Sequence, residues 1–256
     1  MLVKYSTSHQ ARYMEYAYEV TGNINARYNN FTRYFSLAEN NRFLADENTR
    51  LTNERKQNFT RIDTAVEQKQ IITFVDSTPL TRKYVWRTAR VINNSVSAQN
   101  NYITLQRGRN QGIDKDMAVI SPAGLVGIVT DVSENMSIVM SLLHRKSNTS
   151  VALKNSGITG ILEWDGTNPQ RLILRGIPKS AEIKKGDTVL TSNLSLNFPE
   201  GLHVGTIAEF NKETGGNNYT IFLKPGANFY SLEFVSVIEN LFLKEQLELE
   251  QRAKRN

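Results

Sequence analysis

The sequence predicts a mainly β protein with a long N-terminal α-helix, arranged as a coiled coil followed by two small β-barrel subdomains. One observation is the distribution of proline and glycine. The first 78 residues contain no proline and one glycine, whereas 14 of the 15 glycines lie between Gly108 and Gly226. The others are a leucine heptad in the N-terminal part and about a dozen short apolar runs after it. Because proline and glycine interrupt regular structure, the chain divides into a helix and a turn-rich β region.

The composition limits the classes of protein to which this chain can belong. Its 256 residues allow one large or two small domains. The net charge of +6 is mild, and it fits a protein beside an anionic membrane or cell-wall polymer as well as one that binds nucleic acid. The absence of cysteine excludes a disulfide scaffold, a cysteine nucleophile and a thiolate metal site. No run approaches the ~20 apolar residues of a membrane span.

The helical segment is assigned to residues 1–69, with helix expected from about residue 8 onward. Its clearest part is a heptad in which leucines occupy position d and asparagines position a. The leucines are Leu37, Leu44 and Leu51, and the asparagines are Asn41 and Asn48. An asparagine at position a is satisfied best by its twin on a parallel partner, so it fixes the register and favours two strands. These five residues are therefore predicted to form the dimerisation seam of a homodimer or higher homo-oligomer. The alternative is an amphipathic helix packed on its own domain.

The β region contains many strands and no helical pattern between them. Strands are predicted at Ile71–Val75, Lys83–Val91, Tyr102–Arg107, Met117–Ser121, Leu125–Val132, Ser137–Leu143, Thr149–Leu153, Thr159–Trp164, Arg171–Leu174, Thr188–Thr191, His203–Phe210, Tyr219–Lys224 and Glu233–Ile238. This pattern indicates barrels or sandwiches rather than a parallel sheet. The number of strands predicts two barrels, over residues 70–156 and 157–240. Residues 241–256 are expected to be a flexible charged tail, with a short helix as the alternative.

Residues that could carry chemistry are scarce. The three histidines His9, His144 and His203 have no metal-ligand spacing, and no glycine-rich phosphate loop occurs, so neither a metal nor a cofactor is predicted. A nucleic-acid reader would alternate exposed aromatic and basic residues along a β face, and no such platform is visible.

A chymotrypsin-like protease is the enzyme alternative. His144 and Asp165, followed by Ser192 or Ser195, have the His-Asp-Ser order of that class. However, neither serine lies in a Gly-Asp-Ser-Gly type of loop, and the order alone supplies no oxyanion hole. We therefore predict no catalytic residue.

The most specific motifs lie between Lys185 and Ile207. They read KGDTV from Lys185, FPEGL from Phe198 and VGTI from Val204. Two earlier segments agree with them, GRNQGIDKDMAVISPAGLVG from Gly108 and GILEWDG from Gly160. Together these motifs resemble the rod shape-determining protein MreC family, in the family's order. The turn residues that match the family motif are Gly186, Asp187, Phe198, Pro199, Gly201 and Gly205.

The resemblance implies a function as well as a fold. MreC-like proteins are non-enzymatic scaffolds of the bacterial cell-elongation machinery. They have one inner-membrane span, a coiled coil and a paired β-barrel region in the periplasm. We therefore expect a membrane span to precede this chain. The implied partners are a class B penicillin-binding transpeptidase, MreD and the MreB/RodZ system.

Two alternatives to the scaffold stay open. A periplasmic adaptor subunit of an export system also joins a coiled coil to β domains, although its helices usually form a hairpin with β sequence on both sides. An enzyme that acts on peptidoglycan would need catalytic residues, and the sequence offers no candidates.

Overall fold

The computed structural model describes residues 37, 39–61, 80–212 and 216–255. The predicted helix before residue 37 and the predicted strand at Ile71–Val75 lie outside the described residues. Helix α1 covers residues 39–53. A 3-10 turn at Lys56–Asn58 follows it and leads into β1 (Phe59–Arg61), which pairs with β2 (Leu80–Arg82) in a two-stranded antiparallel sheet.

The end of α1 corrects the predicted helix, because residues 54–61 are not α-helical. The backbone N–H of Arg55 donates to Thr52 O at 3.1 Å, and that of Asn58 donates to Arg55 O at 3.0 Å. The heptad offers a reason, since Asn58 stands where the next leucine would be expected. Without an apolar residue to bury there, tight turns replace the helix.

The first barrel is closed and has six antiparallel strands in the order β14-β3-β4-β7-β6-β5. Its strands are β3 (Tyr84–Asn94), β4 (Asn100–Leu105), β5 (Ala118–Ser121), β6 (Gly124–Val132), β7 (Ser137–His144) and β14 (Phe234–Asn240). Alternate residues fill its core, and Ile103, Leu105, Val139 and Val237 are completely buried. A short 3-10 turn at Arg109–Gln111 lies between β4 and β5.

The second barrel is also closed, with six antiparallel strands in the order β10-β13-β12-β11-β8-β9. Its strands are β8 (Thr149–Leu153), β9 (Thr159–Glu163), β10 (Leu172–Pro178), β11 (Thr188–Thr191), β12 (His203–Lys212) and β13 (Asn218–Pro225). The alternation in β13 buries Tyr219, Ile221 and Leu223. Strands of this length bury one residue in two, as the period of an extended chain requires.

The division between the barrels differs from the predicted one at residues 156 and 157. Strand β8 lies before that point but belongs to the second barrel, and β14 follows the second barrel but closes the first. Val237 of β14 pairs with Arg87 on one side and with Val119 on the other. The chain thus leaves the first barrel, builds the second, and returns for one strand.

The C-terminal tail, predicted to be flexible, forms helix α2 (Leu243–Arg255). The backbone N–H of Phe242 donates to Asn240 Oδ1 at 3.1 Å just before the helix, and Leu243 is buried. Lys244 Nζ lies 2.9 Å from Asp114 Oδ2, close to the first barrel. The side-chain contacts at its start account for the ordered helix. Within the described residues, neither helix is long and apolar enough to cross a membrane.

Candidate interaction site

The first motif turn fixes the start of β11. The backbone N–H of Gly186 donates to Ile207 O at 2.8 Å, and that of Ile207 donates to Asp187 O at 2.9 Å. The Asp187 carboxylate accepts from the backbone N–H of Lys184 at 2.8 Å and from Asn155 Nδ2 at 3.2 Å. The glycine-aspartate pair therefore holds this end of the second barrel together.

The second motif turn, residues 192–201, joins β11 to β12. Its anchor is Phe198, which is 1% exposed. The Thr191 hydroxyl donates to Pro199 O at 2.6 Å and accepts from the backbone N–H of Leu202 at 2.8 Å. Gly201 has a φ of +84°, a left-handed conformation that a residue with a side chain adopts only with strain. One buried hydroxyl and one buried ring thus determine the shape of this turn, which we call the inter-barrel turn.

The inter-barrel turn also contacts the first barrel. Asn197 Nδ2 donates to Asp116 O at 2.7 Å, and Asn240 Nδ2 donates to Leu196 O at 2.9 Å. A third link runs from the start of β12, where the ring of His203 lies with Nδ1 2.9 Å from Ala123 O. These bonds tie the two barrels together at the turn.

Gly205 has a packing role in the VGTI motif. A Cβ atom at this position would lie 2.3 Å from the carbonyl oxygen of Lys224 in β13. This distance is far below van der Waals contact, so any side chain would force β12 and β13 apart.

An open groove of about 340 Å³ lies beside the inter-barrel turn. The turn, the start of β3, the end of β14 and α2 form its walls, and its charged lining groups are Lys83, Glu200 and Glu250. Leu194 also lines the groove and is 64% exposed, the most exposed large apolar side chain of the turn. The turn is thus a firmly held surface with one apolar side chain directed to solvent.

The groups of the protease alternative have separate partners. His144 Nε2 lies 3.2 Å from the Tyr102 hydroxyl, and its Nδ1 accepts from the backbone N–H of Lys146 at 3.0 Å. Burial, followed by the charge of Lys146, lowers the pKa of His144 below its ordinary value. Asp165 accepts from Thr167 and Arg171. The structure therefore assembles no relay between the histidine and the aspartate.

Both serines of that alternative take part in turn hydrogen bonds. Ser192 Oγ lies 2.8 Å from Ser150 Oγ and accepts from the backbone N–H of Leu194 at 3.2 Å. Ser195 Oγ accepts from the backbone N–H of Phe198 at 3.3 Å. In the part of the chain that the structure describes, no group of three or more His, Cys, Asp or Glu side chains could hold a metal ion.

The five residues of the predicted dimerisation seam are exposed. Leu37, Leu44 and Leu51 are 55%, 56% and 49% exposed, and Asn41 and Asn48 are exposed as well. Pairing of two chains through these residues stays a prediction.

A different face of α1 contacts the first barrel through polar side chains. Asn53 Nδ2 donates to Trp86 O, and Asn53 Oδ1 accepts from the Trp86 backbone N–H, both at 2.8 Å. The indole N–H of Trp86 donates to Asn58 Oδ1 at 2.8 Å, and the Thr88 hydroxyl donates to Thr49 Oγ1 at 2.8 Å. The sequence pattern does not predict these contacts. The available signal was the run of polar residues beside the end of the heptad.

Two closed six-stranded barrels, with a firmly held turn between them, define a double-barrel protein. The family model described as rod shape-determining protein MreC, barrel core, matches residues 91–239, which is more than half of the chain. The chain therefore belongs to the MreC family, as the sequence motifs predicted.

Individual relatives agree with this assignment. The cell shape-determining protein MreC of Listeria monocytogenes is 32% identical over 180 residues, which are 69% of this chain and 61% of the relative. That of Bacillus subtilis is 31% identical over 160 residues, covering 59% of this chain and 55% of the relative. A solved structure of MreC from Listeria monocytogenes has a TM-score of 0.58 and 31% identity, covering 62% of this chain and 77% of that chain. The chain thus spans about three fifths or less of these curated relatives.

Proposed function

We propose that this chain is a non-enzymatic scaffold of the bacterial cell-elongation machinery and maintains cell shape by binding enzymes that synthesise peptidoglycan. The observation that carries the proposal is the match of residues 91–239 to the barrel core of a cell shape-determining family. Relatives named for cell-shape determination support it. The whole protein is anchored in the bacterial inner membrane by a single span, with this portion in the periplasm.

The proposed principal partner is a class B penicillin-binding transpeptidase. Because both barrels are closed, the described barrel strands leave no free edge to which a partner strand could be added. A partner that binds the barrels would therefore contact strand faces and turns. The inter-barrel turn suits this role because it is preorganised, and a rigid contact surface loses little conformational entropy on binding. MreD and the MreB/RodZ system are proposed partners of the whole anchored protein.

The seam of α1 is proposed to pair two copies of the chain. The five seam residues are exposed, and their leucine-asparagine alternation matches a parallel two-stranded coiled coil. Pairing would deliver two sets of barrels to the same assembly. Two tethered sites can bind a partner array more tightly than one site does, without any new contact.

The turn can be tested by measuring transpeptidase binding to immobilised chain. The variant Leu194→Asp should weaken binding about tenfold, as expected when an apolar contact residue becomes charged. Ile161→Asp is the matched control, because Ile161 is an exposed apolar residue of β9 in the second barrel, and it should stay within about twofold of the unmodified chain. Equal binding by both variants would remove the turn from the contact surface. No binding by the unmodified chain would contradict the scaffold function itself.

The export-adaptor alternative needs a helical hairpin with β sequence on both sides. The described residues contain no such hairpin, since α1 leads through a 3-10 turn and the small β1–β2 sheet to the first barrel. The family match gives this alternative no support.

A further inference from the structure

The C-terminal half of α1 has two faces with different tasks. At 3.6 residues per turn, the centre of Asn48 and Leu51 lies about 150° around the helix from the centre of Thr49 and Asn53. Asn48 and Leu51 are exposed, whereas Thr49 is buried and Asn53 is half-buried. The face that would pair is therefore almost opposite the face that contacts the barrel.

The barrel face is held at several points. Asn53 binds the backbone of Trp86 through both its amide nitrogen and its amide oxygen, as a neighbouring strand would do. Asn58 accepts from the Trp86 indole and donates to Thr52 O, which fixes the turn that ends the helix. A rotation of α1 about its axis would break both bonds of Asn53. These contacts resist rotation in a way that apolar packing, which is non-directional, does not.

We propose that Thr49, Asn53, Asn58 and Trp86 form a polar lock that fixes the direction in which Asn48 and Leu51, the C-terminal end of the seam, face relative to the first barrel, so that a second copy pairs there in one orientation. The inference rests on the proposed pairing through the seam. The lock residues are positioning residues, because they touch no partner and act through the orientation of α1.

A second copy is the occupant that the seam favours. The side chain of Asn48 has no hydrogen-bond partner among the described residues and is exposed at position a. The same residue of a parallel second chain satisfies it symmetrically, whereas an apolar partner helix would bury it unpaired. Such an isologous contact closes on itself and gives a defined pair. With the lock in place, that pair has one arrangement of its barrels.

The lock can be tested by measuring distances between spin labels. Because the chain has no cysteine, the labels attach only at the cysteines that are introduced. Labels at Arg50→Cys on α1 and Thr130→Cys on β6, diluted with unlabelled chain, report the distance within one molecule. We expect a narrow distribution that becomes at least about twofold wider in the double variant Asn53→Ala/Asn58→Ala. The control Asn155→Ala removes an exposed amide hydrogen bond in the second barrel and should leave the width unchanged.

A thermal melt of each variant shows whether the barrels stay folded, and Thr49→Val offers a milder change that removes one hydroxyl. An unchanged width of the distance distribution in the folded double variant would overturn the lock.

A single label at Thr130→Cys, measured without unlabelled chain, then reports the distance between the two copies of a pair. A narrow distance between molecules, widened by the double variant at unchanged dimer mass, supports the proposed arrangement. If the lock behaves as expected but no distance between molecules is found, the seam pairing fails while the lock stands.

Discussion

The inter-barrel turn and helix α1 both contact the first barrel, but they are held by different forces. The turn contains a phenylalanine that is 1% exposed and belongs to the hydrophobic core. Helix α1 is held by asparagine and threonine side chains that bond to Trp86 and Thr88. Apolar burial contributes more free energy, whereas hydrogen bonds contribute direction. The turn is therefore expected to be the stable part, and α1 the part whose orientation can be lost while the barrels stay folded.

Removing the ring of Phe198 should have the largest effect on stability. The substitution Phe198→Ala leaves a cavity in the core and should lower the free energy of unfolding by about 3–5 kcal/mol. Denaturant titration followed by circular dichroism measures this change. Phe43→Ala is the control, because Phe43 is 66% exposed and its loss should leave the midpoint unchanged. A similar small effect in both variants would mean that the turn is not anchored by its aromatic ring.

The Thr191 hydroxyl should come next, because it is buried and has two partners in the turn. Thr191→Val keeps the shape but leaves the N–H of Leu202 without an acceptor, so we expect a loss of about 1–3 kcal/mol. The same titration on Thr130→Val, at an exposed position of β6, should show almost no change. If Thr191→Val and Thr130→Val lower the free energy of unfolding equally, the Thr191 hydroxyl does not hold the turn.

Asn53→Ala should cost less, about 1 kcal/mol, since its bonds lie at a half-buried site. Its effect should be local. Amide hydrogen exchange should become faster in the C-terminal part of α1 while the strands of both barrels keep their protection. Asn155→Ala serves again as the matched asparagine control. Faster exchange throughout the first barrel would show that α1 is part of the barrel's cooperative unit.

The smallest effect is expected at α2, which contacts the first barrel through Lys244 and Asp114. The hydrogen bond from Lys244 is the main reason why the pKa of Asp114 is lowered below its ordinary value of about 4. A lowered pKa in the folded state means that the contact stabilises α2 above about pH 4 and is lost as the pH falls through the folded-state pKa. The protection factors of the α2 amides, which are corrected for the intrinsic pH dependence of exchange, should therefore fall in acid. Asp114→Asn should remove this pH dependence. If the variant keeps the pH dependence, the Lys244–Asp114 pair is not its source.

Local patterns predicted most of the strands because alternation is a property of neighbouring residues. Strand β11 has the predicted bounds, and the predicted runs in β5, β6 and β7 differ from the strands by one residue at one end. The place of β14 could not be predicted, because its partners β3 and β5 are more than a hundred residues away in sequence. When a barrel closes by pairing strands that are far apart in sequence, the residues of neither strand identify its partner.

The candidate site was predicted unevenly for the same reason. The resemblance to the family predicted the positions of the motif turns. Gly201 adopts a left-handed conformation and Phe198 is buried, as their residue types favour. The helix was predicted too long because the contact between Asn53 and Trp86 joins segments 33 residues apart. Helix α2 was only the alternative to a flexible tail, because the contacts that hold it, through Asn240 and Asp114, come from elsewhere in the fold.

The pairing of two chains through the exposed seam is tested most directly by the solution mass from light scattering at micromolar concentration. The unmodified chain should have twice the 29.0 kDa of one chain, and Leu44→Asp, at position d, should shift the mass toward 29.0 kDa. Phe43→Asp is the matched control, because Phe43 is exposed on the same helix outside the seam, and this variant should keep the dimer mass. A dimer mass that Leu44→Asp leaves unchanged would contradict the seam and assign association to the barrels.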